Sequence, residues 1–282
     1  MKEIVPGVII ESDYAGVTIG AVQTPNGVIL IDAPLSPKDA QAWRSACSRA
    51  SNSDRLLVLL DEHFDRCIGA RSLRCPIIAH EKTSQAIIGR NTAPKPQTAP
   101  TGSLWESNSE VNSVHWVYPE ITFTHEMNIN WDEQEPLHLE HHPGPSRGSS
   151  WAVLPEKKVA FIGDTVITAQ PPFLAAADLE MWDETLDLLK SSVYRDYILI
   201  SGRGGMVTRD DVQNMQKFLK KAQRLADKNC KGKTDLVAVE EASVLLAEDF
   251  KARTKAEAEL FHARLVYGFG QYCLNTIAKR AL

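Results

Sequence analysis

The chain has 282 residues and a mass of 31.3 kDa, with 43% hydrophobic and 24% charged residues. That is a globular composition, large enough for a sizeable core and unlike disordered, collagenous or disulfide-stapled chains. With 31 Lys and Arg against 36 Asp and Glu, the formal net charge is -5, so no basic excess exists to neutralise phosphates and no nucleic-acid partner is expected. The longest aliphatic run, Leu56–Leu60, is far shorter than the roughly 20 residues of a membrane helix, and Met1–Pro6 lacks the apolar stretch of a secretory signal. No membrane partner is expected. Five scattered cysteines (Cys47, Cys67, Cys75, Cys230 and Cys273) point to reduced thiols and a cytoplasmic location.

In chain order, Val8–Ile10, Val17–Val22 and Val28–Ile31 are short β-rich runs, and Pro25-Asn26-Gly27 joins the last two as a hairpin turn. Ser36-Pro37-Lys38-Asp39 supplies a cap, a first-turn proline and an early acid, predicting a helix through about Ala50. Arg55–Leu60 reads as a strand buried on both faces, and it stops at Asp61-Glu62-His63-Phe64-Asp65-Arg66. Polar clusters at strand C-terminal ends are where layered α/β folds bind ligands.

Residues 91–113, rich in Pro, Ser, Thr and Asn, read as a long irregular loop. Strands are predicted at His115–Tyr118, Ile121–Ile129 and Pro136–His141, and a hairpin at Trp151–Leu154 and Val159–Ile162, closed by Asp164. Leu179–Leu189 reads as a helix, Tyr197–Ile200 as a buried strand and Ser201–Gly205 as a tight loop. Beyond Gly205 the pattern is purely helical. Thr208–Asp211 and Thr254–Glu257 resemble capping boxes, and Phe261, Leu265, Phe269 and Tyr272 line one helix face. This divides the chain into a main domain, residues 1–229, and a C-terminal helical extension, residues 230–282. The aromatic stripe is expected to be core or the surface of a homodimer formed through these helices.

Gly144-Pro145-Ser146-Arg147-Gly148 fits the G-x-S-x-G pattern of serine hydrolases. However, a strand rather than a helix is predicted after it, and only His262, in the appended helices, lies downstream as a base. The stronger constellation is Asp61-x-His63-x-Asp65-Arg66 directly after a buried strand, with Asp164 about a hundred residues on.

The order of Asp32 after the hairpin, this cluster, the Pro143-Gly144 turn, Gly163-Asp164 and Ser201-Gly202-Arg203-Gly204 resembles the metallo-β-lactamase superfamily over residues 4–225. The resemblance implies an α/β (α+β) fold, a four-layer αββα sandwich here carrying the C-terminal helical extension. It also implies hydrolysis of esters, thioesters, lactams or phosphoesters on one or two metal ions. Where the superfamily has H-x-H-x-D-H, this chain keeps His63 and Asp65 but places Asp61 and Arg66 at the other two positions. The later histidines fall on Pro145 and Arg203, and the bridging aspartate is kept as Asp164.

Arginine cannot ligate a metal, because its guanidinium stays protonated and has no acceptor. Arg66 and Arg203 are therefore expected to pair with Asp65 and Asp164 in place of a second metal. Asp61, His63 and Asp164 are legal ligands for at most one divalent ion (Zn, Fe or Mn), and the alternative is no cofactor at all. If the protein is catalytic, Asp61, His63, Asp65 and Asp164 carry the chemistry. Arg66, Arg203 and Arg147 are the candidates for binding a small phosphate or carboxylate. His141 and His142 are the alternative nitrogen donors; Asp32 is expected to orient the loop after Leu60, and His80, His115, His125 and His138 read as structural. Two functions follow: a remodelled, metal-poor protein binding a small molecule or partner, or a one-metal hydrolase of an ester, thioester or phosphoester.

Overall fold

A computed structural model describes residues 1–47, 54–90, 100–113, 115–132, 135–230 and 235–280. Seven strands form the first sheet: β1 (Lys2–Val5), β2 (Val8–Glu11), β3 (Ile19–Thr24), β4 (Gly27–Ile31), β5 (Arg55–Leu59), β6 (Ile77–His80) and β7 (Ile121–Phe123), side by side in sequence order. β1 to β4 run antiparallel, and β4 to β7 are parallel. The second sheet has the order β13-β12-β11-β10-β9-β8, from β8 (Glu126–Ile129), β9 (Leu137–His141), β10 (Ser150–Leu154), β11 (Val159–Phe161), β12 (Ile198–Ser201) and β13 (Gly205–Val207).

Alternation along the strands explains the layering. Along β5 and just beyond it, Val58 and Leu60 enter the core between the sheets with Ile29, Leu139 and Phe161. Leu57 and Leu59 face outward instead, beneath α1 (Pro37–Ala46), whose Ala40 and Trp43 share their core. Ser36 caps α1 as predicted, accepting from the N–H groups of Lys38 and Asp39. The short helix α2 (Phe64–Cys67) and α3 (Glu81–Ile88) complete that side. The opposite helical layer is α4 (Leu179–Lys190), α5 (Arg209–Asn229), α6 (Leu236–Ala247) and α7 (Lys255–Arg280). The Thr208 and Asp211 capping box opens α5. Phe261, Leu265, Phe269 and Tyr272 are buried, the last three in one core with Trp182 and Phe218, so this stripe packs inside its own chain and the extension shares the core of the main domain.

Four expectations are corrected. Ile121–Ile129 is two strands, because the chain turns at Thr124-His125 and passes from one sheet to the other. His115–Tyr118 forms no strand among the described residues; Trp116 anchors it by packing into the outer core. Gly205–Val207 is a strand, pairing antiparallel with β12 before α5 begins. Cys230 and Cys273 form a disulfide, leaving Cys47, Cys67 and Cys75 as the free thiols. The predicted end of α1 near Ala50 and residues 91–99 of the long loop lie outside the described residues; its later part forms two 3-10 turns, Leu104–Ser107 and Ser109–Ser113.

Candidate metal centre and its ion-pair network

Backbone hydrogen bonds draw four loops onto one point. Ser150 N donates to Leu60 O (2.8 Å) across the two sheets, Gly202 N to Gly163 O (2.7 Å), and Thr18 N to Gly202 O (2.7 Å). Asp61, Asp164 and Arg203, at the ends of β5, β11 and β12, thereby meet although 142 positions separate the first from the last. Asp32 ends β4 in a left-handed conformation (φ 58°) and accepts from Leu60 N at 2.9 Å. It thus holds the loop after β5.

Arg66 and Arg203 fill the centre of this cluster, and both are essentially inaccessible to solvent. Arg66 Nη1 donates to Asp32 Oδ2 (3.1 Å) and Nη2 to Asp164 Oδ1; Nε lies 3.2 Å from Asp61 Oδ1, within ion-pair distance but not aligned for a hydrogen bond. Arg203 Nε donates to Asp164 Oδ2 (3.0 Å), and Nη1 donates to Asp65 Oδ2 (2.8 Å) and Gly16 O (2.6 Å). Asp65 therefore pairs with Arg203 alone, and Arg66 takes Asp61 and Asp32 in place of the expected Asp65. Gly202 makes room for this arrangement: a Cβ there would stand 2.7 Å from Arg66 Nη2.

His63 Nδ1 is 2.9 Å from Asp61 Oδ2 and 3.5 Å from Asp164 Oδ2. Burial alone would lower its pKa, but the two carboxylates outweigh that and raise it. Burial likewise opposes ionisation of Asp61 and Asp164, yet Arg66 and His63 lower the first, and Arg203 and Arg66 the second. Asp32 behaves oppositely. Burial pushes it from 3.8 up to about 7, beyond what Arg66 restores.

These shifts have opposite linkage signs. A carboxyl raised in the folded protein contributes stability that is full below about pH 4 and lost as pH rises to about 7. The raised His63 adds to that loss above its ordinary range, whereas the lowered Asp61 and Asp164 contribute stability that is lost in acid. Urea unfolding from pH 4 to 8 is expected to show greatest stability at mildly acidic pH and a decline towards neutrality; stability rising steadily to pH 8 would show Asp32 ionised throughout.

Asp61, His63 and Asp164 each offer a ligand atom, all within 4.8 Å of one another. Asp61 Oδ2 and His63 Nδ1 are buried without an aligned hydrogen-bond partner. Tetrahedral donors about 2.1 Å from an ion stand roughly 3.4 Å apart; the separations from His63 Nδ1, 2.9 and 3.5 Å, lie on either side of that spacing, so the three residues are of the type and proximity that could hold one divalent ion. A second ion does not fit. Asp65 is taken by Arg203, and two guanidinium cations occupy the space beside it.

The remaining candidates lie apart. Arg147 is exposed and joins no contact of the Arg66 and Arg203 cluster among the described residues. His141 stacks on His80 with ring centroids 3.8 Å apart and shares a hydrogen bond with Arg147 O, while His142 packs on Trp151 and pairs with Glu140. Neither belongs to the Asp61, His63 and Asp164 group. Ser146 is buried, with its hydroxyl donating to Glu62 Oε2 (2.8 Å), and His262 pairs with Glu240 on α6, so no serine–histidine pair forms.

Two groups absent from the sequence reading complete the centre. Phe173 packs against His63 and lies under the guanidinium groups of both Arg203 (4.7 Å) and Arg264 (4.2 Å). Arg264, buried on α7, donates to Gly102 O and Pro171 O, and burial followed by repulsion from Arg203 lowers it to about 9. Its signal was visible as an arginine adjoining the apolar stripe Phe261, Leu265 and Phe269. Beside the network lies a cavity of about 170 Å³ lined by His63, Asp65, Arg90, Trp105, Phe173 and Tyr267.

Two sheets packed face to face between helical layers, with polar loops converging at the strand ends, make a four-layer αββα sandwich. Solved structures give it a name. A metallo-beta-lactamase from Pontibacter korlensis superposes with a TM-score of 0.59 at 16% identity, over 78% of this chain and 97% of that one. A metallo-beta-lactamase family protein from Thermus thermophilus gives 0.66 at 14%, over 99% and 95%. The stereoselective inverting sec-alkylsulfatase Pisa1 from Pseudomonas sp. gives 0.63 at 14%, over 96% of this chain and 49% of that one. No protein-family model and no curated protein sequence matches. The chain has the metallo-β-lactamase fold.

Proposed function

We propose that this metallo-β-lactamase-fold protein has exchanged two-metal hydrolysis for binding a small ligand or partner at a remodelled, metal-poor centre. The observation that carries the reading is the placement of Arg203, whose guanidinium joins Asp164 to Asp65 and leaves no donor set for a second ion. The adjoining cavity supports a ligand of modest size: about 170 Å³ is close to the ~150 Å³ that accommodates benzene in an engineered core. Protein purified without chelator is expected to retain zero or one equivalent of metal. Two equivalents of zinc or iron surviving dialysis would overturn the proposal.

The second reading, a one-metal hydrolase of an ester, thioester or phosphoester, is favoured by the Asp61, His63 and Asp164 donor set. A bound divalent ion would supply a water of lowered pKa. Asp61, His63 and Asp164 are the residues that would hold and orient it. Arg66 and Arg203 are committed to carboxylates, so little of either is left to stabilise a developing oxyanion. One retained equivalent together with esterase or phosphodiesterase turnover abolished by His63→Ala would select this reading.

No helix among the described residues is long and apolar enough to cross a membrane. We place the protein in the cytoplasm on its three free cysteines; Cys230–Cys273 counts the other way. Thiol alkylation during lysis followed by mass spectrometry decides, since a fully oxidised Cys230–Cys273 pair in the cell would contradict that placement.

A further inference from the structure

Away from the centre, a groove of about 520 Å³ opens between α5, the loop Ile167–Ala169 and the turn after α6. Its volume lies within the range of small-molecule sites. Ile167, Met215, Phe218 and Phe250 give it an apolar floor, where the two phenyl rings meet edge to face at 5.3 Å. Lys217, Lys221 and Arg224, at positions i, i+4 and i+7 of α5, share one helix face, and Lys251 approaches from the turn.

The two carboxylates in the groove are already committed. Asp249 pairs with Lys221 at 2.8 Å, and Asp211 is spent on the Thr208 cap. Lys217, Arg224 and Lys251 have no carboxylate partner among the described residues: Lys217 reaches only Asn214 Oδ1 at 3.4 Å, and Arg224 Nε bonds Lys220 O. Four cations against two acids give the groove a surplus of positive charge within a chain whose net charge is -5.

We propose that this groove binds an organic phosphate with a flat apolar body. The surplus matches a phosphate dianion, held by the cations of the rim, and the floor receives a ring against the part-exposed Phe250, which is backed by the buried Phe218. Inorganic phosphate would use only the rim and a neutral aromatic only the floor, so neither alone would bind well. The site is separate from the Arg66 and Arg203 network and does not rest on the function proposed for it.

The probe is 1-naphthyl phosphate, followed by fluorescence anisotropy, with inorganic phosphate and 1-naphthol as competitors representing its two halves. The probe should bind at least about tenfold more tightly than either half. Its affinity should fall as ionic strength rises from about 0.02 to 0.5 M, because the rim cations are exposed. Lys217→Glu combined with Lys251→Glu, both surface positions, should weaken binding by about tenfold or more, through two lost contacts and the added repulsion, with the melting temperature unchanged. Absence of binding at millimolar probe, or affinity undiminished by the double charge reversal, would overturn the proposal.

Discussion

Arg203→Ala is expected to cost about 3 to 5 kcal/mol of folding stability, the usual penalty for removing one partner of a buried ion pair. In a chain of this size that corresponds to a melting temperature lower by about 5 to 8 °C. The stranded group is Asp65. It is 2% exposed, its Oδ1 already lacks a hydrogen-bond partner, and Arg203 is the one cation within reach of its Oδ2 among the described residues. Asp164 fares better, since Arg66 still faces it. Adding Asp65→Asn to Arg203→Ala removes the stranded charge and should recover more than half of the loss. Arg147→Ala, at an exposed position, should stay within about 0.5 kcal/mol of the parent. Thermal and urea unfolding measure all three. An Arg203→Ala variant within about 1 kcal/mol of the parent would show that the ion pairs contribute little.

The double replacement Arg66→His and Arg203→His should behave differently from either alanine variant. Without metal it leaves Asp32, Asp61, Asp65 and Asp164 facing one another with both guanidinium groups gone, and should be less stable than Arg203→Ala alone. The new imidazoles add nitrogen donors beside Asp65 and Asp164, which is the donor set a zinc ion requires. Added zinc should therefore restore stability through linkage, by about 2.7 kcal/mol at a hundredfold excess over its dissociation constant, while leaving the parent unmoved at the second position. A double variant that is as stable as the parent without metal, and indifferent to zinc, would dissociate the two arginines from the metal volume altogether.

Much of the fold was legible because it rests on local rules. The fully apolar Leu56–Leu60 run, the Pro25-Asn26-Gly27 turn, and the caps at Ser36 and Thr208 each specify an element from its own residues. Where strands pair depends on distant partners, and there the reading failed: no local signal marks that Ile121–Phe123 and Glu126–Ile129 belong to different sheets, or that Gly205–Val207 adds to the edge of β12.

The same division holds at the centre. The sequence by itself determined which side chains can serve as metal ligands, because ligand capacity is a property of the side chain: those of Pro145, Arg66 and Arg203 cannot, wherever they lie. Only the tertiary structure decided which arginine meets which carboxylate. Arg66 meets Asp32 and Asp164, whereas among the described residues Asp65 is ion-paired with Arg203. It alone also brought Arg264 from the C-terminal helix to the ring of Phe173 that Arg203 shares. Charge pairing acts over a few ångströms, and separations of 34 to 138 residues are closed by backbone bonds within and between the two sheets, which no stretch of sequence contains.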